Sequence, residues 1–332
     1  MDKKLFGKIS DRDIFLYTLK DSDLEMTVME RGCAITSLKY RGTDVIGGFD
    51  TLNDYLADTS HQGAVIGRVA NRVGGAKFKM DGVTYSLPKN DGENCLHGGD
   101  GFDHKIWNVD AVSDNSITFT YTSRDGEEGF PSELSVKVNY TLSDNALHIS
   151  YEAIPEGKTP IALTNHSYFN LCGFGGTIED HVAKFYSENY TEVDSALIPN
   201  GNRPSVIGTL FDFLTPHRIG ERVGADFIGY DHNLILSPKF KRCFLGKELG
   251  LAGEISGGDI KMSIFTDQPG IQFYIGNFLG NGPDFKGGVK QVFHGAFCVE
   301  TQTEPDCINH GDGFYSLGDV YTHNTVYLFE RR

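Results

Sequence analysis

Apolar residues along the chain recur with a period of two. Leu134, Val136, Val138 and Tyr140 fall on one side of an extended segment, while Ser135, Lys137 and Asn139 fall on the other. That alternation is the mark of a strand with one buried face. Short stretches rich in β-branched and aromatic residues predict further strands over 24–29, 116–121, 134–142, 146–153, 261–265, 271–278, 297–301 and 325–329. Turn-forming clusters separate them, among them Asp125-Gly126, Ser143-Asp144-Asn145 and Ser256-Gly257-Gly258-Asp259. Only 52–56 and 216–223 suit short helices, and no series of strand, long helix and strand predicts a doubly wound sheet. The expectation is an all-β fold, a large antiparallel β-sandwich, with residues 1–332 forming one domain because no linker or low-complexity stretch divides them. Forty glycines, far above the typical usage of roughly 7 %, suit many tight connections.

The 332 residues carry a formal charge of −15. Nucleic acid and anionic membrane surfaces favour a basic footprint, so neither is expected as a partner. No apolar run reaches the roughly 20 residues of a membrane span, and the N-terminus lacks a secretory signal pattern. The six cysteines are far apart and read as reduced thiols of a cytoplasmic protein.

Candidate chemistry begins where the apolar stretch Ile161-Ala162-Leu163 gives way to Thr164-Asn165-His166-Ser167-Tyr168-Phe169-Asn170. Such polar groups are costly to bury unpaired, and a histidine can exchange a proton near neutral pH. His166 fits either a core histidine satisfied by the backbone or a proton donor, with Asn165, Ser167 and Asn170 orienting it or a ligand. Three further clusters are polar: Gly67-Arg68-Val69-Ala70-Asn71-Arg72, Asn94-Cys95-Leu96-His97-Gly98-Gly99, and Tyr230-Asp231-His232-Asn233 before an apolar run. The two arginines suit bracing a loop through carboxylates or donating to sugar oxygens, 94–99 a tight turn that lets a ligand approach or a loop whose histidine caps a turn, and Asp231 either vicinal hydroxyls or a turn before a strand. In 271–275, Gln272 and Tyr274 share a side opposite Ile271 and Phe273; in 297–302, Glu300 lies opposite Val299 and Thr301. A carboxylate within so apolar a strand is a candidate base, or one half of a strand-end salt bridge. Glu127 and Glu128 read as solvated loop residues. No His-Glu-x-x-His motif or closely spaced cysteine set suggests a metal, and Gly173-Phe174-Gly175-Gly176 lacks the context of a nucleotide loop.

Taken in order, these segments closely resemble the aldose 1-epimerase (galactose mutarotase) family. The resemblance runs from Gly67–Arg72 through Asn94–Gly99, Phe102-Asp103, Trp107 and Asn165–Asn170. It continues through Phe211-Asp212-Phe213, Asp231-His232-Asn233, Gln268–Asn277, Glu300-Thr301-Gln302, Pro305-Asp306 and Ile308-Asn309-His310. It implies a single β-sandwich with a sugar cleft, no cofactor, and interconversion of the α and β anomers of free hexoses. By that resemblance His166 would be the general acid at the ring oxygen and Glu300 the general base at the C1 hydroxyl, with His166 starting protonated and Glu300 ionised. His97 would hold the substrate, Asn71, Arg72, Asp231 and Gln272 would bind hydroxyls, and Arg68 would belong to the scaffold. Glu304 departs from the family, where tryptophan is common at this place, and is expected to alter the cleft rim or substrate preference.

The partner expected is therefore a free aldohexose, bound by a monomer, with a dimer as the alternative. Three other functions fit parts of the pattern: a hexose-phosphate mutarotase, which would want more basic donors; a non-catalytic sugar-binding module, which would not need both His166 and Glu300; and a glycoside hydrolase, in which Glu300 and Asp231 would act as the paired carboxylates.

Overall fold

In the computed structural model, which describes residues 1–332, the alternation of 134–142 becomes the strand Leu134–Ser143. Its five apolar positions are buried and its polar ones face outward or are half-buried. It pairs along its whole length with Ala146–Pro155 through a two-residue turn in which Asp144 and Asn145 both have positive φ (53° and 61°). That is the turn geometry matching the twist of a hairpin.

This hairpin lies within a ten-stranded antiparallel sheet. In spatial order its strands are Asn108–Val112, Ser116–Ser123, Leu134–Ser143, Ala146–Pro155, Tyr321–Arg331, Ile260–Thr266, Lys247–Gly257, Val182–Phe185 and His217–Arg218, with Lys241–Phe244 also paired to Lys247–Gly257. A five-stranded meander covers Asp2–Ile9, Arg12–Asp21, Leu24–Met29, Ile35–Tyr40 and Thr43–Asp44. A four-stranded sheet joins Ser187–Tyr190, Asp231–Leu236, Gly270–Tyr274 and Cys298–Gln302. Residues of all three sheets meet in one apolar cluster, Leu19 and Val28 from the meander, Phe119 and Val138 from the large sheet, and Ile271 and Val299 from the small one. Burial of such a shared face is what drives sheets to pack as a sandwich.

Several sequence expectations shift. The strand expected over 271–278 ends at Tyr274, because Gly276 turns the chain with a φ of +72°. The helix expected over 216–223 is a two-residue strand followed by one 3₁₀ turn, Ile219–Arg222. The helix at 52–56 forms as Leu52–Ala57, capped by Thr51 Oγ1 accepting from the Asp54 N–H and packed through Leu52 and Tyr55. Strands Arg12–Asp21 and Lys247–Gly257 were not expected. The second carries glycines that read as loop signals, yet a Cβ at Gly253 would lie 2.5 Å from the Phe185 ring, so a small residue lets a neighbouring strand approach. All six cysteines are free thiols, and no helix is long and apolar enough to cross a membrane.

Candidate active site

Strand register builds the floor of the site. In the four-stranded sheet Asp231 pairs with Tyr274 and Tyr274 with Cys298; Asn233 pairs with Gln272 and Gln272 with Glu300. Residues paired directly across strands share a face. One face therefore carries Asp231, Asn233, Gln272, Tyr274, Cys298 and Glu300, while Leu234, Ile271, Phe273 and Val299 of the other face enter the core. Of the two alternatives at 230–233 the turn fails: Asp231 and Asn233 stand within the strand Asp231–Leu236.

Loops raise the walls. His61, Asn71 and His97 all adopt left-handed backbone conformations, with φ of 59°, 62° and 56°. His and Asn tolerate that region better than most side chains, and here it turns three polar side chains into one cleft. Two of these loops lock together: the Asn71 N–H donates to His97 Nδ1 (3.2 Å) and the His97 N–H to the Asn71 carbonyl (3.1 Å). The cleft, of about 660 Å³ and open to solvent, is lined by His61, Asn71, Arg72, His97, His166, Asp231 and Glu300, with Tyr168, Tyr274, Phe278 and Leu279 as its apolar wall.

His166 and Glu300 come from different elements and meet, Nε2 lying 3.7 Å from a Glu300 carboxylate oxygen. The His166 ring packs on Tyr168 at 5.0 Å between centroids, and its Nδ1 lies 3.5 Å from the Cys298 sulfur. Gln272 sits beneath the cleft, donating to Asp231 Oδ1 at 2.7 Å, and Arg72 approaches the other oxygen of Asp231 at 3.9 Å while donating from Nε to Asp91 at 2.8 Å. Glu300 Oε2 and Gln272 Oε1 are buried acceptors with no partner. A buried acceptor left unsatisfied costs about 1–3 kcal/mol, and both atoms suit a ligand rich in hydroxyl donors.

The electrostatics differ from expectation. A separation of 3.7 Å admits an ion pair, but burial disfavours each charge. Burial, reinforced by the charge on Asp231 and opposed by Arg72, raises the Glu300 carboxyl well above its usual range. Burial and the neighbouring His61 depress His166 to about 3. Both shifts run against the expected start, His166 protonated and Glu300 ionised, because burial disfavours the charged form of each group. Burial likewise depresses His97 and raises Asp231, the latter opposed by Arg72 and the Gln272 hydrogen bond.

Other assignments are redistributed. Arg68 is fully buried outside the cleft, donating to the carbonyls of Ser123, Arg124, Pro131 and Ser132 and to the hydroxyls of Ser123 and Thr159. Asn165, Ser167 and Asn170 orient neither ligand nor imidazole. Asn165 donates to the Gly63 carbonyl and accepts from Ser167, and Asn170 donates to the Gly295 carbonyl. Glu127 is no solvated loop residue either, since Tyr121 and Ser123 both donate to it. Glu304 accepts from Thr191 Oγ1 at 2.7 Å and pairs with Arg203, and it does not line the cleft. Sequence reasoning missed His61, whose only signal was a polar loop, 58–62. It also missed Asp91 behind Arg72, and it quoted Asp103 without giving it a role. Two groups hold ligand-type atoms close enough for a metal ion, His97 with His166 and Glu300, and His61 with Asp103 and His104. In the second, His61 Nδ1 and Asp103 already hold each other at 2.7 Å.

Comparison with known proteins bears on the fold and the family. The sequence profile of the Aldose 1-epimerase family matches residues 16–328. The galactose mutarotase of Bos taurus is 39 % identical over 324 residues, covering 94 % of this chain and 93 % of that one. The aldose 1-epimerase of Escherichia coli K12 is 32 % identical, covering 95 % and 94 %. Among solved structures, an aldose epimerase homologue from C. elegans superposes with a TM-score of 0.87 at 27 % identity, over 95 % of this chain and 98 % of that one.

Proposed function

Because this chain belongs to the aldose 1-epimerase family, we propose that its cleft interconverts the α and β anomers of free hexoses by acid–base ring opening between His166 and Glu300. The observation that carries the reading is that contact: a histidine and a carboxylate, 134 positions apart in sequence, lie 3.7 Å from each other in one cleft lined by polar side chains.

The chemistry follows from the groups present. A sugar hydroxyl donating to Glu300 Oε2 stabilises the carboxylate and, across the 3.7 Å contact, the protonated imidazole of His166. Glu300 then takes the C1 hydroxyl proton while His166 protonates the ring oxygen. The bond between C1 and the ring oxygen breaks, a carbonyl forms at C1, and the open-chain aldehyde results. Rotation about C1–C2 exposes the other carbonyl face, and the same two transfers in reverse close the opposite anomer. His97, Asn71, Arg72 and Asp231 hold hydroxyls, with Gln272 fixing Asp231 from below. A free hexose is favoured over a hexose phosphate because Arg72, the basic side chain of the cleft, is already engaged by Asp91 and Asp231. The rest of the reading is a single-domain monomer of the cytoplasm serving hexose and galactose metabolism, with neither nucleic acid nor membrane as partner.

Polarimetry on freshly dissolved α-D-glucose and α-D-galactose tests the reading. The native protein accelerates relaxation to the same final rotation. Glu300→Gln and His166→Asn each lower kcat by about 10²–10⁴-fold while keeping native circular dichroism. Native-like rates in both purified variants would overturn it.

A further inference from the structure

His61 stands in the cleft wall with one side of its ring fixed and the other free. Its Nδ1 lies 2.7 Å from Asp103 Oδ2, and Nε2 has no protein partner. Burial pushes the Asp103 carboxyl up, but the hydrogen bond and charge of His61, with His104 and Arg31, outweigh it and hold the carboxyl below its usual range. An ionised carboxylate only accepts, so Nδ1 of His61 is the donor. Nε2 is thereby left toward the cleft, an acceptor in the neutral ring and a donor in the charged one. Either form has hydrogen-bonding capacity that only a ligand or water can meet.

Position says which part of a sugar it would meet. His61 packs edge-on against His97 at 4.7 Å and lies 5.8 Å from His166 between ring centroids. His97, His166 and Glu300 hold polar atoms within 4.8 Å of one another, and His61 is not of that group. Asp231 and Gln272 flank the opposite, Glu300 end of the cleft, Gln272 pairing directly with Glu300 across the sheet. With the C1 hydroxyl at Glu300 and the ring oxygen at His166, the Asp231 side receives C2 and C3. The side beyond His166 receives C5 and its exocyclic hydroxymethyl group.

From this arrangement, which rests on the roles proposed for His166 and Glu300, we infer that His61 binds the C6 hydroxyl and makes the site prefer hexoses over sugars that lack that group. Asp103 is its positioning residue. It touches no substrate and acts by fixing the ring so that Nε2 faces the cleft.

The test compares kcat/KM for D-galactose with that for D-fucose, which has a methyl in place of the C6 hydroxymethyl, and for D-glucose with D-xylose, which lacks C6. The native protein favours the member of each pair that carries the hydroxyl. In His61→Ala and His61→Phe both preferences fall about tenfold, the scale of one hydrogen bond, chiefly through KM. His61→Gln, which keeps a polar tip, retains part of the preference. Asp103→Asn lowers it less than His61→Ala does and adds nothing in the double variant. Preferences unchanged within twofold in His61→Ala and His61→Phe would overturn the inference while mutarotation itself stands. Failure of the native protein to accelerate any of the four sugars would instead overturn the mutarotase reading on which it rests.

Discussion

The carboxyl of Glu300 illustrates what a site residue costs the fold that carries it. It is 2 % exposed, one oxygen has no partner, and the imidazole 3.7 Å from the other is one that burial keeps neutral. Its raised pKa means that the folded chain keeps a proton which the unfolded chain releases above about pH 4.3. Stability is therefore lost as pH rises from there towards the folded-state value. Glutamine has the same shape and does not titrate. Glu300→Gln is accordingly expected to unfold at a higher temperature than the native protein at pH 8, with the gain shrinking towards zero near pH 4, while mutarotation is crippled at both. Differential scanning calorimetry at the two pH values checks this. An equal difference at both, or a lower melting temperature at pH 8, would mean that the carboxylate is ionised and satisfied in the resting cleft. The opposite assignment, a protonated His166 beside an ionised Glu300, follows from the sequence because opposite charges sharing a cleft favour each other, even where partial burial raises the carboxyl. The extent of burial, which composition does not report, is what works against it.

At the scale of elements, alternation was the legible part. The period of two located Leu134–Ser143, Ala146–Pro155 and the strands bearing Gln272 and Glu300, and it placed both side chains on the correct side of their strands. It could not reveal that those two residues pair, since register is set by neighbours distant in sequence. Nor did it locate His61, because a side chain delivered by a left-handed backbone belongs to no periodic pattern. Such loops depend on close backbone approach. Gly98, which follows His97, has a φ of +82°, and a Cβ there would lie 2.4 Å from the Gly67 carbonyl oxygen. That atom is backbone and cannot swing aside. Gly98→Ala is expected to cost about 1–3 kcal/mol of stability and, by moving His97, to raise KM more than it lowers kcat. Thermal unfolding with initial-rate polarimetry would show it, and unchanged values of both would mean that the loop relaxes without disturbing His97.

For the whole molecule, the question is what keeps two groups from separate segments at 3.7 Å. The segments bond each other directly, Thr164 Oγ1 donating to the Thr301 carbonyl and Phe169 exchanging backbone bonds with Phe297, and the opposite layer of the sandwich braces both from behind. Tyr321–Arg331 is a central strand of the ten-stranded sheet, paired on both sides, and its inward side chains reach the back of both catalytic segments. The Tyr321 hydroxyl accepts from the Leu163 N–H, and His323 Nδ1 lies 3.2 Å from the Leu163 carbonyl, three residues before His166. The Tyr327 hydroxyl donates to the Val299 carbonyl at 3.0 Å, and His323 Nε2 lies 3.0 Å from Thr301 Oγ1, so the residues on either side of Glu300 are held as well. His323 hydrogen-bonds to both segments, and burial depresses it to about 4, keeping it neutral and able to serve one as donor and the other as acceptor. His323→Leu is therefore expected to lower kcat by about tenfold with little change in KM, the size of effect a misplacement of about 1 Å can exceed. It should also cost stability on the order of 1–3 kcal/mol through the groups left unpaired. The two effects separate in a double variant. If His323 acts by setting the His166–Glu300 geometry, its effect on kcat disappears in the His166→Asn background, where that geometry no longer matters, while the loss of stability remains. An undiminished effect on kcat in that background would show that the C-terminal strand supports the cleft as a whole and not the distance between its two proton-transfer groups.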